Sequence, residues 1–389
     1  MMSSWKTCTI GDLGTVVGGA TPSTKKAENY DCGTIAWITP KDLAGFSGRF
    51  ISHGERNITE QGLKSCSTQM MPAHTVLFSS RAPIGYIAIA NQEVCTNQGF
   101  KSVVPNEDTD YMFLYYLLKY NKDRIENLGS GTTFKEVSGS TMRGIEVLVP
   151  DSIEEQRQIA SVLSTLDDKI EKNTEVNKNL FEQVRALYKD RFIDLMPFGG
   201  SMPSDWHLGT VSEIIELHDS KRIPLSSRER AELDKIYPYY GATSVMDYVD
   251  RYLFDGIYLL LGEDGTVVDG QGFPILQYVE GKFWVNNHAH IITGKNGFTV
   301  ELLYLLFSLT NVQSIVTGAV QPKISQANLN KVPIVIPSEA ELKAFDESIQ
   351  PFFAEIRNLR AENDRLATVR DSMLPRLMSG ELDVSDLDF

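Results

Sequence analysis

The chain is one pattern written twice, and this repeat constrains its fold more than any other feature. GSTMRGIEVLVPDSIEEQ (Gly139 to Gln156) aligns with QANLNKVPIVIPSEAELK (Gln326 to Lys343). In each, a short polar segment leads into an apolar, β-type run that stops at Pro150 or Pro337. A helix start follows directly. Ser152 with Glu155, and Ser338 with Glu341, form S-x-x-E capping boxes 186 residues apart, in which both side chains satisfy orphan backbone N–H groups. Upstream, YMFLYYLLKYNKDRIENLGSG (Tyr111 to Gly131) matches VELLYLLFSLTNVQSIVTGAV (Val300 to Val320), an amphipathic helix ending at glycine. Each half opens on a tryptophan, Trp5 or Trp206. The stretches between these anchors diverge. A shared frame with unlike middles predicts two related domains doing one job on different targets.

After each capping box the apolar residues follow a heptad rhythm. The first seam reads Ile159, Leu163, Leu166, Ile170, Asn173, Asn177, Leu180, Val184, Leu187, in steps of four and three. The second reads Leu342, Phe345, Ile349, Phe352, Ile356, Leu359, Asn363, Leu366. This 3.5-residue spacing predicts two long helices, from Ser152 to about Leu195 and from Ser338 onward, paired as an antiparallel coiled coil about a pseudo-twofold axis. Asn177 and Asn363 are equivalent in the two repeats, and polar seam residues fix register and orientation at a cost in stability. Roughly 40 residues of helix span about 60 Å, enough to act as a ruler between two readers on neighbouring turns of B-DNA. A plain dimerisation coil has the same periodicity.

The middles, residues 1–110 and 201–298, read as mixed α/β domains rich in short strands. WITPKDL (Trp37 to Leu43), TVLFSSRAPIGYIAIA (Thr75 to Ala90) and VCTNQGFKSVVP (Val94 to Pro105) supply strands and loops in the first. PYYGATSVMDYVDRYLFDGIYLLLGEDGTVVD (Pro238 to Asp269) and KFWVNNHAHIIT (Lys282 to Thr293) do so in the second. The expected fold class is therefore α+β.

A net charge of −14 argues at first against a nucleic-acid partner, but its distribution matters more. Residues 1–150 balance at 0, residues 151–200 carry −3, residues 201–337 carry −5 and residues 338–389 carry −6. The expected helices hold nine of the excess negative charges, so the reading domains are neutral to mildly acidic. Such a chain binds DNA weakly alone, because phosphate contacts supply most affinity, and a basic partner subunit is expected. Cys8, Cys32, Cys66 and Cys95 show no C-x-x-C spacing and read as reduced, structural thiols. No secretory leader or membrane-length apolar run is visible, so the expected location is the cytoplasm.

Base readout needs Arg or Lys for guanine and Asn or Gln for adenine. The first domain's loops offer Lys41, Arg81, Asn97, Gln98 and Lys101. The second's offer Lys221, Arg222, Arg228, Arg230, Tyr240, Asn286, Asn287 and His288. SKRIPLSSRER (Ser220 to Arg230), with Lys235 close behind, is the strongest phosphate-contact segment of the acidic half; its competing reading is an exposed flexible loop. Catalytic signatures are missing. His288 and His290 form an H-x-H pair without an acidic or cysteine partner at metal-site spacing, and read as structural strand residues. GEDG (Gly262 to Gly265) reads as a turn rather than a carboxylate pair. There is no Walker loop, G-x-S-x-G elbow, N-P-P-Y/F motif or convincing P-D…E-x-K cluster. No catalytic residue and no metal site is expected in this chain.

Together these motifs resemble the specificity subunits of type I restriction–modification systems. The segment from Pro238 through GEDG, with KFWVNNHAH, looks like a target recognition domain of that family. GGATPS (Gly18 to Ser23) resembles the opening motif of such domains. The P-x-x-x-E-E-Q helix start (Pro150 to Gln156) and MLPRLMSGEL (Met373 to Leu382) are similar to the family's central and C-terminal conserved regions. The second helix start departs, with SEAELK in place of the E-Q pair. The resemblance implies target recognition domains at 1–150 and 199–337, a central conserved helix at 151–198 and a C-terminal one at 338–389. It implies a bipartite DNA target and docking of two methyltransferase subunits using S-adenosylmethionine. ATP-driven endonuclease or translocase subunits would join in the restriction form, and this chain would need no cofactor of its own. The rival is a coiled-coil adaptor whose duplicated domains bind proteins.

Overall fold

The two long helices start where the repeats place them because a strand ending in proline cannot continue a ladder, and a polar turn follows. They run Ile153–Tyr188 and Glu339–Met378 in this computed structural model, which describes residues 4–131, 135–318 and 320–384. The outer ends of the expected domains, residues 1–3 and 385–389, lie outside the described residues. The chain forms two compact units, residues 1–172 with 362–389 and residues 173–361. The division falls within both helices.

In the first unit, the strand Trp5–Thr9 pairs antiparallel with Glu146–Pro150, from Trp5↔Pro150 to Thr9↔Glu146. The apolar run before Pro150 thus closes onto the opening tryptophan. A five-stranded sheet places Gly14–Gly18, Lys101–Pro105, Val76–Ser80, Ile84–Ala90 and Phe50–Ile51 side by side. A three-stranded sheet joins Asn57–Ile58, Ile35–Ile38 and Cys95–Thr96. The helix Tyr111–Tyr120 is capped by Asp110, whose carboxylate accepts from Phe113 N–H at 2.9 Å. It packs Phe113, Leu114 and Leu117 into a core shared with Ile159 and Leu163 of the first long helix and Leu374 and Leu377 of the second. Lys169 pairs with Glu362 at 3.6 Å and Asp167 with Arg370 at 2.6 Å, so the helices run antiparallel here.

The second unit repeats this plan locally. His207–Thr210 pairs antiparallel with Pro333–Ile336, and helix Val300–Ser308, capped by Thr299, buries Leu302, Leu303 and Leu306. Its six-stranded sheet runs Ile215–Leu217, Ala289–Gly294, Phe254–Gly262, Leu276–Val285, Tyr237–Tyr240, Val245–Val249. Here, too, the helices oppose one another: Tyr188 meets Phe345 edge-on at 5.9 Å, and Arg191 pairs with Glu341.

Each unit fixes its sheet to the helices through a buried tyrosine. Tyr116 donates to Asp167 at 2.6 Å, and Arg370 pairs with the same carboxylate. Tyr278 donates to Glu301 at 2.7 Å and accepts from Arg357 at 2.6 Å. Burial, with the carboxylate alongside, pushes both phenols well above their ordinary range, so they stay neutral donors.

The heptad reading needs two corrections. Leu187, placed on the seam, is 48% exposed, and its neighbour Tyr188 is buried instead. A strict 3.5-residue pattern drifts about 20° per heptad on a straight helix, close to one residue over the four heptads after Ile159. In the second helix Phe353 is fully buried where Phe352 was expected; Phe352 packs at the core's edge. Among the described residues no helix is long and apolar enough to cross a membrane.

Candidate nucleic-acid interface

In the first unit Thr39 opens a single helical turn, Pro40–Leu43. Asp42 accepts from both the Thr39 N–H and its hydroxyl at 2.7 Å, a capping box with proline at the first helical position. Lys41 rides on this turn, exposed, 2.7 Å from Glu55, whose hydrogen bond and charge hold the ammonium pKa above its usual range. Asn97 follows the strand Cys95–Thr96. Its side-chain oxygen accepts from Gly99 N–H at 2.8 Å, an Asx-type turn, and its Nδ2 has no partner among the described residues. Arg81 leaves the end of strand Val76–Ser80. These three line an open cleft of about 350 Å³ with Thr39, Pro40 and Gly99.

Lys101, largely buried, lies 3.3 Å from Glu136, which is also 3.6 Å from Arg81. Arg81 and Glu136 face each other across an antiparallel bridge, which puts their side chains on one face. Gln98 is exposed and touches Thr21 of the GGATPS loop. That loop lies so close to Thr96 that a Cβ on Gly19 would stand 2.1 Å from its carbonyl, which requires glycine. All five expected residues of the first domain therefore collect around one cleft and its margin. Glu136 was missed, because its partners are 35 and 55 residues away in sequence and no local pattern joins them.

The second unit treats its cations differently. Arg222 is 13% exposed and pairs with Glu263 at 2.6 Å and Asp219 at 3.5 Å, while donating to the Ala289 carbonyl at 2.7 Å. Arg230 is buried, pairs with Asp247 at 2.9 Å and stacks over Tyr239 at 4.7 Å. Lys235 binds the same Asp247. Arg222 and Arg230 are thus corrected to internal ion pairs: the loop folds back on its own sheet, held by Trp284, whose indole donates to Ile223 O at 2.6 Å. Asn286 is buried, binding Tyr240 O, Met246 Sδ and the His288 N–H, and is corrected likewise. Lys221, Arg228 and Asn287 are exposed, the two cations without an ion pair among the described residues. Tyr240 is half-buried against the edge of Phe283, and His288 stands 3.6 Å from Asp264.

His290 does find acidic partners. Its Nδ1 lies 2.6 Å from Asp219 and 3.7 Å from Glu263, and its Nε2 2.8 Å from the Ile324 carbonyl. Glu263 belongs to GEDG, so that segment, expected only to turn, also delivers a carboxylate to the core. The three ligand atoms are close enough for a metal ion. The donor set does not fit one, because Arg222 and Lys323 already neutralise Glu263 and Gln326 caps Asp219. Burial raises the Asp219 and Glu263 pKa values. Hydrogen bonds and charge from His290, Ile291 N–H and Gln326 on the former, and from Arg222, His290 and Lys323 on the latter, outweigh it, leaving both below their usual values.

On the helices, Asn363 donates to the Ile170 carbonyl at 3.3 Å. Asn177 borders a cavity of about 160 Å³ with Phe181 and Tyr304, and its buried Oδ1 has no partner among the described residues. Gln156 explains the departure in the second helix start. It is buried, accepts from Asp110 N–H at 3.0 Å and ties the two helix starts of its unit. Leu342, its equivalent 186 residues on, is buried in an apolar core.

Two α+β units, one offering converging cations and amides on an open cleft, define a recognition protein rather than a catalyst. The family model for the type I restriction modification DNA specificity domain matches residues 2–180 and again 203–367, and the chain belongs to that family. It is 34% identical to the MjaIX type I restriction enzyme specificity subunit of Methanocaldococcus jannaschii, over 98% of this chain and 94% of that one. It is 29% identical to the EcoR124I/EcoR124II specificity subunit of Escherichia coli over 42% of this chain and 40% of that one. In structure it resembles the type I restriction–modification S subunit of M. genitalium, with a TM-score of 0.55 and 18% identity over 97% of this chain and 96% of that one.

Proposed function

We infer that this chain is the DNA-reading specificity subunit of a type I restriction–modification complex, with residues 1–150 and 199–337 as its target recognition domains. The observation that carries the reading is the double match: a DNA specificity domain occurs once in each half of one chain. Two unlike sensors in one chain read a bipartite, asymmetric sequence. The helices Ile153–Tyr188 and Glu339–Met378 serve as the spacer, a coiled coil on a pseudo-twofold repeat, and set the length of the unread gap. Their acidic excess supports docking of two methyltransferase subunits. Those subunits carry the S-adenosylmethionine chemistry, and endonuclease or translocase subunits using ATP complete the restriction form. This chain contributes positioning and no reacting group, and it works in the cytoplasm with its DNA.

The test is to map methylated adenines in cells with and without the chain, then to exchange residues 1–110 for those of another specificity subunit. One half of the methylated motif changes and the other stays. A change in both halves would overturn the domain assignment. The adaptor reading predicts no sequence-selective, salt-sensitive DNA binding in the presence of a methyltransferase partner.

A further inference from the structure

The carboxylate between the first unit's two cations has no role in holding the fold's core. Glu136 is 40% exposed, yet each of its oxygens serves a different cation, Oε2 facing Arg81 and Oε1 facing Lys101. Arg81, 34% exposed, lines the open cleft directly. Neither cation has another ion pair among the described residues. Two bare cations at the mouth of a cleft grip any phosphate, and such contacts supply nearly all sequence-independent binding.

We propose that Glu136 suppresses phosphate binding at this cleft and reserves Arg81 and Lys101 for the neutral acceptors of a base edge. This rests on reading the first unit as a DNA sensor. With Glu136 in place the triad carries one net positive charge instead of two, and an approaching phosphate meets a carboxylate of its own sign. A guanine edge offers N7 and O6, acceptors without net charge, and takes an arginine in bidentate fashion. It suffers no such repulsion. The device sharpens discrimination by weakening the wrong complexes more than the right one, as specificity requires.

The experiment uses the chain assembled with its methyltransferase partner, a duplex carrying the mapped target and a scrambled duplex, titrated between about 50 and 200 mM salt. Glu136→Gln tightens binding of the scrambled duplex by about five-fold, in line with a half-exposed ion pair, and of the target duplex by less than about two-fold. The salt slope for the scrambled duplex steepens by about one. Glu136→Asp, which keeps the charge, retains the wild-type ratio. Weaker binding of both duplexes by Glu136→Gln, or an unchanged ratio, overturns the proposal. Arg81→Ala separates the two readings. If it leaves target binding intact, the cleft does not read DNA and the assignment of this face fails. If it weakens binding while Glu136→Gln leaves the ratio alone, only the role of Glu136 falls. Thermal unfolding of each variant confirms that the fold is kept.

Discussion

The two units are built on the same frame and supply similar basic side chains, but they spend them in opposite ways. In the first, Lys41 and Arg81 stand at an open cleft with Asn97, each cation sharing one partly exposed carboxylate. In the second, Arg222 and Arg230 turn inward and hold the loop Ser220–Arg230 against its sheet. Position on the sheet decides which happens. A cation beyond a strand end meets solvent, whereas one opposite buried acids such as Asp219 and Glu263 is captured by them.

The most damaging substitution on this view is Arg222→Ala. It leaves two buried carboxylates with only His290 and Lys323, and removing one partner of a buried network costs about 3–5 kcal/mol. Urea unfolding of the purified chain measures it. A loss within about 0.5 kcal/mol, the range of ordinary surface changes, would return Arg222 to the set of free loop cations.

The same network fixes an acid response. Asp219 and Glu263 titrate below their ordinary values of 3.8 and 4.5 in the folded chain. Above that range both states are ionised and the stabilisation is complete. As pH falls through it, the unfolded chain takes up protons first, and stability drains away until the native carboxyls protonate too. Each group adds a slope of at most roughly 1.4 kcal/mol per pH unit. Unfolding series on wild type and Glu263→Gln, from neutral pH downward, should show a shallower acid decline in the variant; parallel curves would break the assignment.

What the sequence made legible follows from range. The strands, the capped helix starts and the closure of Trp5 on Pro150 come from local patterns or from the repeat itself, and these read directly. The seam was readable to within one residue, failing at Leu187 because a 3.5-residue template slides around a helix of period 3.6. The first cleft was legible in its residue types, since Lys41, Arg81 and Asn97 each follow a strand end. Pairing was not: Glu136 with Arg81, and Asp219 with His290, join segments tens of residues apart. No local signal tells a captured arginine from a free one, which is why Arg222, Arg230 and Asn286 were misplaced.

Arg81→Ala is the next test in size. An arginine that contacts a base contributes about 1–3 kcal/mol of discrimination, so target binding by the assembled complex should fall by about ten-fold or more, with specificity relaxed in one half-site only. The chain's own unfolding should hardly move, because Arg81 is a third exposed. Loss of stability together with binding would place Arg81 beside Arg222 and erase the contrast between the units.

The smallest effect falls on the cations that the second unit leaves outside. Lys221 and Arg228 are exposed and without an ion pair among the described residues, so their contribution to folding is within about 0.5 kcal/mol. If they meet phosphate, each substitution by alanine lowers the affinity for target and scrambled duplexes alike, and cuts the salt slope by about 0.9. That uniform loss is the signature of positioning without reading. A substitution that instead changed the preferred bases would show that the second unit, too, holds a cation in reserve for base edges.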